Sequence, residues 1–533
     1  MVLVVGRLGQ AAAGELPGKE PNPPAATLPQ VQTEVQTDEH GPSEPAPQIA
    51  APVALTTKEG KKGWKVTIPG DRPLATPAVV DGKVFIGGGF GSHEFYAFDA
   101  RSGKMLWQYR TADDGPTAAV VADGCVAFNT ESCELEMLTL DGKPIWKKWL
   151  GDPLMSMPAI AEGRLLMAFP DSRGDREHRL ACFDVKTGKE LWRQKIAGEI
   201  ITAPMIDDRQ VFLATLEGTL YCFHANDGSL AWLEKQKNAT STPTLWNGRC
   251  WFSRRSEATV NKAGKKVAQQ MEQVAARGLE KKAGVRDLSA TARKADYLDY
   301  GKRAMGGMGG MGGLSKEAAS QKADEGVGFS GGGEEPPANN PPPPAQPQIA
   351  PMGGKGDAKI NQAQSNLGQG SVHGVWSYQG SKPLFYEGRL YVAMGDTLLC
   401  VDPKTENVLW KKEFRPAKVE KAEDKKTEKP QPDEDGEELL DATVTPPALV
   451  NHKVFVGTGA GEVVCLAAAT GEPLWKATVG ASIVFQPAVA DGRVYVSTES
   501  GVLCCLETGD ASDDGWLMWG ANAAHSGVAG KSK

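Results

Sequence analysis

Ala97-Phe-Asp-Ala-Arg-Ser-Gly-Lys-Met-Leu-Trp107 is the stretch whose reading decides the fold. It reads as the end of one strand, a tight turn and a second strand closing on Trp. Asp99 and Ser102 suit a type I turn, and Gly103 suits the left-handed position after it. The same pattern recurs at Cys182–Trp192, Cys222–Trp232, Cys400–Trp410 and Cys465–Trp475, with a shortened copy at Met137–Trp146. Self-similarity at roughly 40 residues marks a propeller or a solenoid.

A second marker sets the count. Pro77, Pro158, Pro204, Pro243, Pro383, Pro447 and Pro487 each open an apolar run, and Ala119 fills the same slot in the second repeat. A turn residue follows, Gly82, Gly124, Gly163, Gly248, Gly388 or Gly492, with Arg209 and His452 in the other two repeats. Alternating runs such as Lys83-Val-Phe-Ile86 come next, which is the signature of a hairpin. Each repeat supplies about four short strands, one propeller blade. Eight openings predict an all-β, eight-bladed β-propeller. The eighth repeat reaches Glu507-Thr-Gly-Asp510 without a Trp strand of its own. The segment beginning at Trp64 is therefore predicted to be the outer strand of the last blade, donated by the N-terminal part of the chain.

The pattern Ala-x-Asp-x-x-Thr-Gly-Lys-x-x-Trp resembles the tryptophan docking motif of PQQ-like, quinoprotein-type propellers. That superfamily takes in pyrroloquinoline-quinone (PQQ) dehydrogenases and BamB-like outer-membrane assembly proteins. The resemblance covers residues 61–256 and 372–509. It implies structural docking roles for Trp64, Trp107, Trp146, Trp192, Trp232, Trp376, Trp410 and Trp475, each held between the small first residue of its own motif and the Gly turn of the next blade. That pairs Trp107 with Ala97, Trp192 with Cys182, Trp232 with Cys222, Trp410 with Cys400 and Trp475 with Cys465. Glu406 stands where the motif wants Gly, which predicts a distorted turn.

Composition bounds the rest. The chain has 533 residues and a net charge of −7, which argues against a general nucleic-acid role. No apolar run is long enough for a transmembrane helix. Nine cysteines are present, and Cys182, Cys222, Cys400, Cys465 and Cys505 fall in the small-residue slot, so buried free thiols are expected rather than disulfides.

Residues 1–60 read as the remnant of a signal peptide, ending near Ala11-Ala-Ala13, and a Pro-rich tether. No Cys stands there for lipid attachment. The charged loop Asp171–His178 lengthens blade three. Blade five is predicted to be split, its Trp strand at Val372–Tyr378, by an insertion over 257–371. In that insertion Val267, Met271 and Val274 share helical spacing, so 260–305 is predicted to be a basic helical hairpin, either solvated or facing an anionic partner or membrane surface. Gly306–Gly313 and Pro341–Pro344 are low-complexity. Residues 416–441 read as a charged loop, and 510–533 as a Trp-rich tail whose two Trp are expected over one face or the rim. His525 is expected to be packed and hydrogen-bonded.

No catalytic residue is assigned, no metal ligand set is found, and the cofactor site is unknown. In the resembling dehydrogenases a planar quinone lies between a Trp and a ring formed by adjacent cysteines, with a Ca²⁺ held by oxygen ligands. The only adjacent pair here, Cys504-Cys505, sits in a regular strand whose side chains alternate. Cys-x-x-Cys-His and Gly-x-Ser-x-Gly are absent, and the seven His lack ligand spacing. The expectation is a monomeric, exported, periplasmic or envelope-associated scaffold that binds protein partners without a cofactor. The alternatives are a dehydrogenase using PQQ and calcium, or a carbohydrate- or polymer-binding propeller.

Overall fold

The computed structural model describes residues 48–529, apart from 90, 132, 152–155, 172–177, 199–202, 208, 216–218, 236–238, 240, 263–264, 295–382 and 415–443. Within them lie eight antiparallel sheets arranged as blades, and a single short 3-10 helix at Ser289–Thr291. Blade one shows the plan. Ala78–Val80 is innermost, followed outward by Lys83–Gly87, Glu94–Asp99 and Met105–Arg110. Most of the residues of the second and third strands are buried between blades, while the outer strand is half exposed.

Turn chemistry explains why the repeats fold this way. The first two strands of blade one are joined by Asp81-Gly82, with φ of 51° and 69°. Consecutive left-handed residues make a two-residue turn whose twist matches the strands it joins. Arg209 (φ 63°) and His452 (φ 58°) adopt the same conformation where Gly is missing, at a steric cost of roughly 1–2 kcal/mol each.

Blade eight closes the ring. Its strands Ala488–Ala490, Arg493–Ser497 and Val502–Glu507 are continued by Lys62–Thr67, which pairs antiparallel with the third strand, Trp64 opposite Cys505. Val53–Thr56 then adds a fifth strand outside it. The chain's two ends are thereby zipped into one sheet by backbone hydrogen bonds.

Blade five corrects the expectation. Residues 260–262 and 265–278 are strand, not helix. Arg249–Lys262 and Lys265–Gly278 form a hairpin in continuous register, Arg249 opposite Gly278 at the base and Lys262 opposite Lys265 at the tip. The fourth strand of this blade is Val285–Asp287, and Arg293–Lys294 pairs further along the hairpin at Met271–Glu272. Val372–Tyr378 with Trp376, the low-complexity stretch, the 416–441 loop and residues 1–47 lie outside the described residues. So does most of Asp171–His178. Asp171 itself is buried and accepts a hydrogen bond from Arg193 Nη1 at 3.0 Å.

Candidate functional site: the latched rim and the plugged axis

Two constructions define what this ring offers to a ligand. The first is the set of junctions between blades. In the sheets, Trp107 lies opposite Ala97, Trp146 opposite Met137, Trp192 opposite Cys182, Trp232 opposite Cys222, Trp410 opposite Cys400 and Trp475 opposite Cys465. In all six a register shift falls between the residue opposite the Trp and the next residue of the third strand, so one extra outer-strand residue precedes each Trp. Five indoles then lean on a glycine of the next blade. A Cβ at Gly103, Gly142, Gly188, Gly228 or Gly471 would sit 2.5–2.8 Å from atoms of Trp64, Trp107, Trp146, Trp192 or Trp410 respectively. Each of these five also donates its Nε1–H to a backbone carbonyl at the same turn: Ala100, Leu140, Val185, Ala225 and Ala468, at 2.8–3.1 Å. The indole thus gains packing and a satisfied polar tip together.

The other three junctions use cations. The Arg277 guanidinium, almost fully buried, lies 3.8 Å from the ring centroid of Trp232 and donates to Glu234 at 3.0 Å. Lys61 Nζ lies 4.2 Å over Trp475 and donates to the Thr508 carbonyl. Between blades five and six no outer-strand indole is present among the described residues; Trp246 of blade five instead stacks on Phe385 of blade six, and Arg286 is ion-paired to Glu406. The Glu406 turn is not distorted, contrary to expectation. Its amide donates to the Asp402 carbonyl at 2.8 Å with φ 62°, as Gly103 does to Asp99. With no ring above it, a Cβ is admissible there.

The second construction is the axis. First strands of neighbouring blades touch one another, and their inward amide edges need acceptors. The C-terminal tail provides them. Trp516 and Val489 exchange backbone hydrogen bonds, and the carbonyls of Leu517, Ala523 and Ala524 accept from Val79, Ile160 and Ile206, innermost residues of blades one, three and four. Trp519 packs with Ala75, Ala118, Met157, Ala203 and Phe485, one apolar residue from each of five blades. The two tail tryptophans therefore fill the centre, not a face or the rim as the sequence suggested.

His525 sits edge-on to Trp519 at 4.4 Å, with Nδ1 at 3.2 Å from the Pro204 carbonyl. Burial pushes its pKa down to about 3, so it is a neutral packing residue. The opposite tail anchor is Lys453, whose Nζ contacts Asp510 and Asp513 at 2.7 Å each.

The described residues do not fit a planar quinone between an indole and a cysteine ring. Cys504 and Cys505 alternate along the third strand of blade eight, two strands out from the axis, and Cys505 lies beneath Trp64. Burial raises both thiols to about 12. All nine cysteines are buried and free. Among the described residues no three His, Cys, Asp or Glu gather as a metal site. The perturbed carboxyls are inter-blade groups instead. Glu136, buried, is raised to about 7 by desolvation and accepts from Tyr109 of blade one at 2.6 Å. Glu131, also raised to about 7 by burial, accepts from the Gly91 amide at 2.8 Å.

Known proteins share this plan. The "Outer membrane protein assembly factor BamB" of Yersinia pestis is 25% identical over 154 residues, 26% of this chain and 38% of that protein. "Quinoprotein alcohol dehydrogenase PedH" of Pseudomonas putida is 28% identical over 153 residues, 25% of each chain. The chain thus spans well under half the length of these relatives. The designed protein Ika8 superposes with a TM-score of 0.50 at 11% identity, over 83% of this chain and 98% of its own, which speaks to fold alone. Among the described residues no helix is long and apolar enough to cross a membrane. With matches over residues 51–146, 134–296 and 427–528, the chain belongs to the PQQ-repeat family described as outer membrane protein assembly factor BamB.

Proposed function

We propose that this propeller is a non-catalytic scaffold that binds protein partners in the cell envelope. The observation that carries the reading is Trp519, packed with apolar residues from five blades on a tail that hydrogen-bonds the innermost strands of blades one, three, four and eight. The tail fills the channel, which leaves the rim and the loop faces for recognition. On the rim, outer strands present half-exposed apolar residues, Leu106 46%, Leu191 47% and Leu230 48% exposed, beside open strand edges. Blade eight carries its own extra strand, Val53–Thr56, at the equivalent edge, so strand addition is the mode of binding this rim favours.

One face is also elaborated. In an up-and-down meander the turns between second and third strands and the blade-to-blade connections share a face. The long hairpin of blade five extends there, and the attachment points of 295–382 and 415–443 lie on the same side. We assign this face to partner binding, with export as the setting and a monomer as the working unit.

The similarity to a quinoprotein alcohol dehydrogenase supports a second reading, a PQQ- and calcium-dependent enzyme. One experiment separates the two. The full chain is incubated with quinone and Ca²⁺ in a dye-linked alcohol assay, in parallel with affinity capture from envelope extracts using the full chain and a variant lacking 295–371, which leaves the strands of blade five in place. The scaffold reading expects no turnover and a partner lost with that segment. Turnover above the protein-free control overturns it.

A further inference from the structure

Seven blades join their third and outer strands by a continuous stretch of chain, and blade eight does not. Its third strand ends at Glu507 and its outer strand begins at Lys62, from opposite ends of the sequence. In blade one the corresponding turn is tied down by Asp99, whose Oδ1 accepts from the Ser102 amide at 2.7 Å. Blade eight has no such turn. Its place is a cavity of about 320 Å³ bordered by Lys62, Trp64, Arg101, Ser102, Arg493 and Glu507. Three cations and one carboxylate line it, on a chain whose net charge is −7.

The cations are available. Arg493 donates Nη1 to the Asp491 carbonyl at 3.1 Å, which fixes the guanidinium and leaves further N–H groups unspent. Among the described residues none of Lys62, Arg101 and Arg493 is in an ion pair. Converging guanidinium and ammonium donors match the oxygens of phosphate or carboxylate groups, and the volume is at the small end for ligand sites.

We propose that this seam binds a small polyanion, a phosphate ester or polycarboxylate, through Lys62, Arg101 and Arg493. Because the donors come from both ends of the chain, the site exists only in the closed ring. Ligand therefore stabilises ring closure by mass action.

The test uses the full chain. Inorganic phosphate and, separately, citrate are titrated against thermal unfolding at constant ionic strength, for the parent and for a double variant, Arg101→Gln with Arg493→Gln. The expected result is a saturable rise in Tm, with apparent affinity weakened by about tenfold or more in the variant. A response to phosphate alone identifies a phosphate ligand, and one to citrate alone a carboxylate. No rise, or an equal rise in parent and variant, which is the general effect of excluded salts, overturns the proposal. If the double variant does not fold, Lys62→Gln is followed by NMR line broadening of the same two probes. Broadening that weakens in Lys62→Gln supports the site, and broadening that is absent or unchanged overturns it.

Discussion

The junctions from blade eight round to blade four, and those on either side of blade five, meet one requirement with different chemistry. Each must hold a sheet against its neighbour without a covalent link. In the first group an indole rests on a glycine and donates to a carbonyl of the same turn. Around blade five, Arg277 covers Trp232 on one side and Arg286 pairs with Glu406 on the other. The difference teaches what the glycine is for. The turns under the indoles and the Glu406 turn all hold a left-handed residue, yet Glu406 takes that conformation without Gly. It is the approaching ring, 2.5–2.8 Å from a would-be Cβ, that makes glycine obligatory at the others.

The largest expected effect is on the indole itself. Trp192→Ala removes a buried ring and leaves the Ala225 carbonyl without its 2.9 Å donor. A loss of about 3–5 kcal/mol is expected, read as the midpoint shift in denaturant unfolding. A loss below about 1 kcal/mol would mean that the latches contribute little to closure.

Next is the glycine. Gly228→Ala places a methyl 2.5 Å from Trp192 Cε3, and overpacking of this kind costs about 1–3 kcal/mol. Combining it with Trp192→Ala should cost less than the sum of the two, because the clash is gone. Strict additivity in that double-mutant cycle would break the link between ring and glycine.

The latches were legible in sequence because they are local. Small residue, Asp turn, Gly and Trp fall within one stretch, and the absence of a Trp strand after Glu507 pointed to Trp64. The covers supplied by Arg277 and Lys61 were not legible, since each depends on which residue the fold brings over a ring. The hairpin of blade five was misread for a different reason. Val267, Met271 and Val274 match a helical period, but Val260 and Val267 are also cross-strand partners about a two-residue connection between Lys262 and Lys265. The Ala263-Gly264 pair there was the available signal for a turn. The tail has no period at all, so nothing in its spacing distinguished axis from rim.

A smaller effect tests whether inter-blade polar contacts matter beside the latches. Glu136 joins blade two to Tyr109 of blade one, and its folded pKa of about 7 lies above the ordinary 4.5. A carboxyl raised in the folded state favours folding fully below its unfolded pKa, and that contribution is lost as pH rises from about 4.5 through 7. Glu136→Gln keeps an acceptor for the Tyr109 hydroxyl and does not titrate. Stability measured against pH should therefore fall less steeply over that window than in the parent, and parallel curves would assign the parent's slope to other groups.

The smallest effect sharpens the comparison most. Arg286 is more than half exposed, so its pairing with Glu406 should contribute no more than about 1 kcal/mol. Glu406→Gly removes that pair but relieves a left-handed non-glycine residue worth roughly 1 kcal/mol. The two terms offset, and a net change near zero is expected from denaturant midpoints. Arg286→Ala lacks the compensating gain and should be destabilising, by up to about 1 kcal/mol. If Glu406→Gly instead destabilises as strongly as Gly228→Ala, the junction between blades five and six is held by this ion pair to a degree that exposed charges do not ordinarily reach. The neighbouring stack of Trp246 on Phe385, with centroids 4.7 Å apart and planes 2° from parallel, would then count for less than its geometry implies.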